Sequence, residues 1–183
     1  KAGKLDDSAR AKLAAVDSTW NEVRALLTAA PSASGAKALY DSTAALDQAS
    51  QHLVMAINSR GPEESRRLIL ASRMRMLSQR IAMHYLYRAS GLMTPNAPQM
   101  ELSYARSEFA ANLSRSTQNN AFPAETREAV ARLAGLWPAY QDAAGKTGEP
   151  VAMLRNAPAV MEMSEQVLGA TDKVVGSLLA PAR

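Results

Sequence analysis

The chain has no cysteine, few aromatic side chains and no long apolar run. Without cysteine there is neither a disulfide framework nor thiol chemistry, and the redox compartment is left open. Aromatics make up only 5% of the 183 residues, while alanine, leucine and methionine are abundant, a balance suited to helices that approach closely through small or flexible side chains. No stretch comes near the roughly 20 apolar residues that cross a bilayer. Basic residues are spread out, so the net charge of +4 forms no block of the kind that binds nucleic acid. The chain begins at Lys1 without a signal sequence, as expected of a mature or excised segment. What is present is 47% hydrophobic residues over a length that can enclose one sizeable core or two modest ones.

Breakers divide the chain into six expected helices. The first runs from a cap at Ser8 to about Thr28 and ends at the segment Pro31 to Gly35; the second covers about Ala36 to Asn58 and stops before Gly61 and Pro62. The third starts near Glu63 and Glu64 and continues to Ala89, and the fourth covers about Gln99 to Gln118. A fifth follows Pro123 to about Ala143, with a kink expected at Pro138; a sixth ends near Leu179, with an irregular start expected from Pro158. The class is all-α, an elongated antiparallel helical bundle.

An internal repeat refines this division. Leu13 to Ala29 around Trp20 parallels Val130 to Lys146 around Trp137, and Leu39 to Leu53 parallels Leu154 to Leu168. Helices one and two therefore correspond to helices five and six, and both tryptophans read as packing anchors. The expected organisation is a helical hairpin over residues 1–60, the second half of a preceding repeat unit, and a four-helix unit over residues 62–183.

The third helix carries the chemistry. At about 100° per residue, Leu70, Met74, Leu77, Ile81 and Tyr85 form one apolar stripe, and Arg66, Arg73 and Arg80 fall together on a side that reads as solvated. Arg75 belongs to neither group, because it lies in the row Ala71, Arg75, Ser78, Ala82, with Ser72 and Gln79 alongside. That row looks like a second buried seam. A guanidinium there needs a carboxylate or a bound anion, or a stem long enough to bring its head to water, and the pattern alone leaves these alternatives open.

The segment Ala71-Ser72-Arg73-Met74-Arg75-Met76-Leu77-Ser78-Gln79-Arg80-Ile81-Ala82 resembles the arginine-containing first helix of PilJ-type sensor domains, the N-terminal domains of type IV pili methyl-accepting chemotaxis transducers. In that family the helix typically reads Ala-Gly-Arg-Gln-Arg-Met-Leu-Ser-Gln-Arg-Met-Ala. It is also similar to the periplasmic segment of NarX-type nitrate/nitrite sensor kinases, whose ligand-binding arginine falls at the position of Arg75. Ser72 stands where the PilJ-type pattern has glycine, and Leu68 where asparagine is frequent.

The resemblance implies a periplasmic, non-enzymatic four-helix sensor without a cofactor. Its small inorganic oxyanion, nitrate or nitrite, would be held by Arg75 with Ser72, Ser78 and Gln79 as further contacts. It also implies a homodimer, in which an anion between two copies of Arg75 relieves their repulsion. A membrane would be met only through segments outside this chain.

Other side chains add little. His52 and His84 lie on different helices without metal-ligand spacing and read as surface or boundary residues, and the methionines read as core filling. No nucleophile stands beside a base in a recognisable motif, so no enzyme is expected. The alternative function is a helical protein-binding module that recognises a pilin, a receptor or another helical partner, with Arg75 in an ordinary ion pair.

Overall fold

The computed structural model describes residues 6–58, 63–92 and 96–180. Six helices account for these residues: α1 (Asp7–Thr28), α2 (Ala33–Asn58), α3 (Glu63–Ser90), α4 (Asn96–Thr117), α5 (Ala124–Gly145) and α6 (Pro150–Leu179). No strand occurs among the described residues. The expected all-α class therefore holds.

Several helix ends differ from the sequence reading by a few residues, and the reasons are local. Asp6, not Ser8, caps α1: its carboxylate accepts the N–H of Ala9 at 2.8 Å. Ser32 does the same for Gly35 at 2.9 Å, so α2 begins at Ala33, ahead of Ala36. Pro98 sits in the first turn of α4, where a missing N–H costs no intrahelical bond. Gly91, at φ 67°, takes the left-handed conformation that ends α3.

Neither proline ends its helix, and the irregular start expected of the sixth helix does not occur. Pro138 lies inside α5 and Pro158 inside α6, and each helix runs through its proline. Both rings are exposed, so each carbonyl that loses its partner can turn to water.

The chain forms two compact units, Lys1–Arg66 and Arg67–Arg183, so the first turn of α3 belongs to the first unit. The junction expected at Gly61 and Pro62 lies outside the described residues.

In the first unit α1 and α2 form a hairpin. Among its described residues only Ala9, Val23 and Tyr40 are buried. Trp20, expected to anchor this hairpin, is instead 47% exposed.

The second unit is a four-helix bundle with an up-down-up-down course. The stripe Met74, Leu77, Ile81 and Tyr85 of α3 meets Leu102 and Phe109 of α4, Leu133 and Tyr140 of α5, and Val160 and Val167 of α6. All ten are essentially inaccessible to solvent. Trp137 does anchor its hairpin: it is 8% exposed, stacks on Phe109 with ring centroids 4.4 Å apart, and meets the edge of Tyr140.

Candidate functional site on α3

α3 presents arginines to two neighbours. Arg73 makes a two-pronged ion pair with Glu108 of α4, and Arg80 Nη2 lies 2.8 Å from Glu101 Oε2. This corrects the reading of Arg73 and Arg80 as a solvated stripe. The cause is register: Glu101 and Glu108 are spaced by seven, like Arg80 and Arg73, and antiparallel packing brings each acid against its base. The same spacing in α4 could have been read from the sequence.

Arg75 points the other way, to α6, where its Nε donates to Asp172 Oδ1. Its side chain is 55% exposed and that of Asp172 50%. The rest of its row is interior, with Ala71, Ser78 and Ala82 almost fully buried. The seam is thus dry except at Arg75, whose head reaches the surface and finds a carboxylate. Nothing in the sequence marks Asp172 as that partner, because it lies 97 residues away on another helix.

The other candidate residues divide between surface and interior. Ser72 is exposed, one turn before Arg75. Ser78 is fully buried, and its hydroxyl donates to the carbonyl of Arg75 at 2.7 Å. Gln79 is partly buried, and its amide donates to Ser164 Oγ on α6 at 3.0 Å. Ser72 and Arg75 thus face solvent together, whereas Ser78 and Gln79 are engaged inside the bundle.

Beneath Arg75 lies a buried polar layer that sequence reasoning missed. The Tyr140 hydroxyl donates to the carbonyl of Ser78 at 2.5 Å, and Ser164 Oγ is 3.5 Å from the same oxygen. Burial pushes the Tyr140 phenol well above its ordinary pKa of 10, which keeps it a neutral donor. A second polar knot closes the far end of the unit. There Asn156 Nδ2 donates to Tyr85 Oη at 2.9 Å and to the carbonyl of Ala143 at 2.8 Å.

His84 is buried, not at the surface or boundary as the sequence suggested. Burial, and then the nearby Arg80 guanidinium, lowers its pKa from 6.5 to about 4, so the imidazole is neutral near pH 7. Among the described residues no group of three or more His, Asp or Glu side chains is arranged to hold a metal ion. Nor is any described helix long and apolar enough to cross a membrane.

The chain matches no family model, no curated protein and no solved structure. Its function must therefore be argued from the α3 segment and from the geometry around it.

Proposed function

We propose that the four-helix unit is a periplasmic ligand-sensing domain that binds a small inorganic oxyanion, nitrate or nitrite foremost, at Arg75. The observation that carries this reading is the accessibility of Arg75. Arg73 and Arg80 are shielded and committed to α4, whereas Arg75 stands half in water at the α3–α6 seam with Ser72 exposed one turn away. The resemblance of residues 71–82 to PilJ-type and NarX-type segments points to the same arginine.

A planar guanidinium forks onto an oxyanion with paired hydrogen bonds, which a lysine cannot do. Asp172 occupies the place an anion would take at Arg75. An ion pair this exposed is worth only about 0.2–1 kcal/mol, so a well-fitted oxyanion can displace the carboxylate. The exchange removes one tie between α3 and α6 while leaving the Gln79 to Ser164 bond beneath it. A ligand with different affinities for the tied and untied states shifts their populations, and helix displacement carries the signal.

Isothermal titration and thermal shift with nitrate and nitrite, against sulfate and chloride as ionic-strength controls, test this reading. A ligand at one hundred times its Kd adds about 2.7 kcal/mol of stability, readily visible as a rise in Tm. Arg75→Ala should abolish that rise with helix content unchanged, and Arg75→Lys should lose most of it. Arg66→Ala should change binding only modestly. Heats absent for every anion, or unchanged in Arg75→Ala, would reject the site.

A second reading, a helical module that binds another protein, has its own support. Arg75 does make an ordinary ion pair, and α1 leaves large apolar side chains in water. Silence toward all anions would favour it.

A further inference from the structure

Leu13, Trp20 and Leu27 recur every seven residues along α1, and all three are exposed, at 37%, 47% and 59%. Val16 and Val23 stand three residues after the first two, with Ala9 a heptad earlier. Ala9 and Val23 are buried and Val16 partly so. α1 therefore carries a heptad pattern of which α2 covers one row and leaves the other open. An exposed tryptophan flanked by two leucines at heptad spacing is the kind of anchor that dominates helix–helix interfaces.

The second unit indicates what can cover such a face. There the hairpins α3–α4 and α5–α6 bury their apolar surfaces against each other, and Trp137, matched to Trp20 by the repeat, lies in that interface against Phe109. Among the described residues the hairpin left with an open apolar row is α1–α2 itself. A second copy of the chain supplies a matching face.

Charge complements an antiparallel pairing. Asp17 and Arg24 each lie four residues after a member of the apolar row, which places both beside it on the side away from α2. If two copies of α1 cross antiparallel about a two-fold axis at Trp20, Leu13 comes opposite the partner subunit's Leu27. Asp17 then comes within one residue of the partner subunit's Arg24, and the symmetry repeats that pair. Arg24 makes a surface hydrogen bond to Asn21 at 3.0 Å, on its own helix. Between Asp6 and Asn58 there are four basic and six acidic side chains, so net repulsion between copies is small.

We infer that the protein self-associates through α1, as an antiparallel pair of α1–α2 hairpins centred on Trp20 with reciprocal Asp17–Arg24 contacts. The proposal does not depend on the anion reading of Arg75.

Sedimentation equilibrium of the full chain over a range of concentrations tests it. The wild type should approach twice its 19.6 kDa mass at high micromolar concentration. Trp20→Glu and Leu27→Glu, both at exposed positions, should remain monomeric while the four-helix unit keeps its cooperative melt. Asp17→Arg alone and Arg24→Asp alone should each weaken association roughly tenfold or more, since both symmetric contacts become like-charge pairs. The double variant Asp17→Arg, Arg24→Asp should recover most of the loss. A wild type that stays monomeric, as it would if another protein covered this face, overturns the proposal. So does a dimer insensitive to Trp20→Glu, and so does a charge-swapped double variant no better than the singles.

Discussion

At the residue scale, His84 shows how a side chain with no catalytic setting still governs behaviour. Its folded pKa of about 4 lies below the ordinary 6.5, so between those values the unfolded chain binds a proton that the native bundle excludes. Stability conferred by neutral His84 is therefore full above pH 6.5 and is lost as pH falls toward 4. A shift of this size corresponds to at most about 3 kcal/mol. Chemical denaturation of the wild type and of His84→Gln across pH 4–7 should give a steeper pH dependence for the wild type. Parallel curves for the two proteins would count against the assignment. The burial of this histidine was not legible in sequence because His84 lies beside the apolar stripe and not on it, and only the packing of α3 decides which flank is covered.

At the scale of elements, the pairing of α3 with α4 rests on ion pairs that the sequence encodes twice over. Arg73 and Arg80 on one helix, and Glu101 and Glu108 on the other, share the same seven-residue spacing. The contact of Arg73 with Glu108 is largely shielded from water, so removing one partner strands the other charge. Arg73→Ala or Glu108→Ala should each cost about 1–3 kcal/mol in urea unfolding, whereas Arg73→Met combined with Glu108→Leu should come close to the wild type. Such an outcome would assign the pair to register and not to net stability. If the single variants proved as stable as the wild type, the register role would be lost. The prolines belong to this scale too. By local rules Pro138 reads as a kink and Pro158 as an irregular start, yet each helix continues through its ring, because tertiary packing of α5 and α6 on both sides outweighs the one lost hydrogen bond.

At the scale of the whole molecule, the two units differ in what they bury. Arg67–Arg183 contains the continuous apolar core, while among the described residues the hairpin in Lys1–Arg66 buries three hydrophobic side chains. Two helices alone cannot remove enough apolar surface from water to offset the entropy of ordering them. A fragment of residues 62–183 should thus retain its helicity and unfold cooperatively with a Tm within a few degrees of the full chain. A fragment of residues 1–60 should be only partly helical at low concentration and gain helix as its concentration rises. Circular dichroism melts of the two fragments decide this, and a 62–183 fragment that fails to fold would show that the units are not independent.

The sequence by itself determined the all-α class, the number of helices and the core stripe of α3, because helical periodicity and chain breakers are local and act before any packing. It also singled out Arg75 as the arginine out of step with its neighbours. Only the tertiary structure decided what each arginine meets: Glu108 for Arg73, Glu101 for Arg80 and Asp172 for Arg75. Those pairings depend on which helices adjoin and in what register. The same holds for the two tryptophans, alike in their sequence surroundings but one buried and the other half in water. A side chain's pattern fixes the face of the helix it occupies, whereas its environment depends on what another part of the chain, or another copy of it, lays against that face.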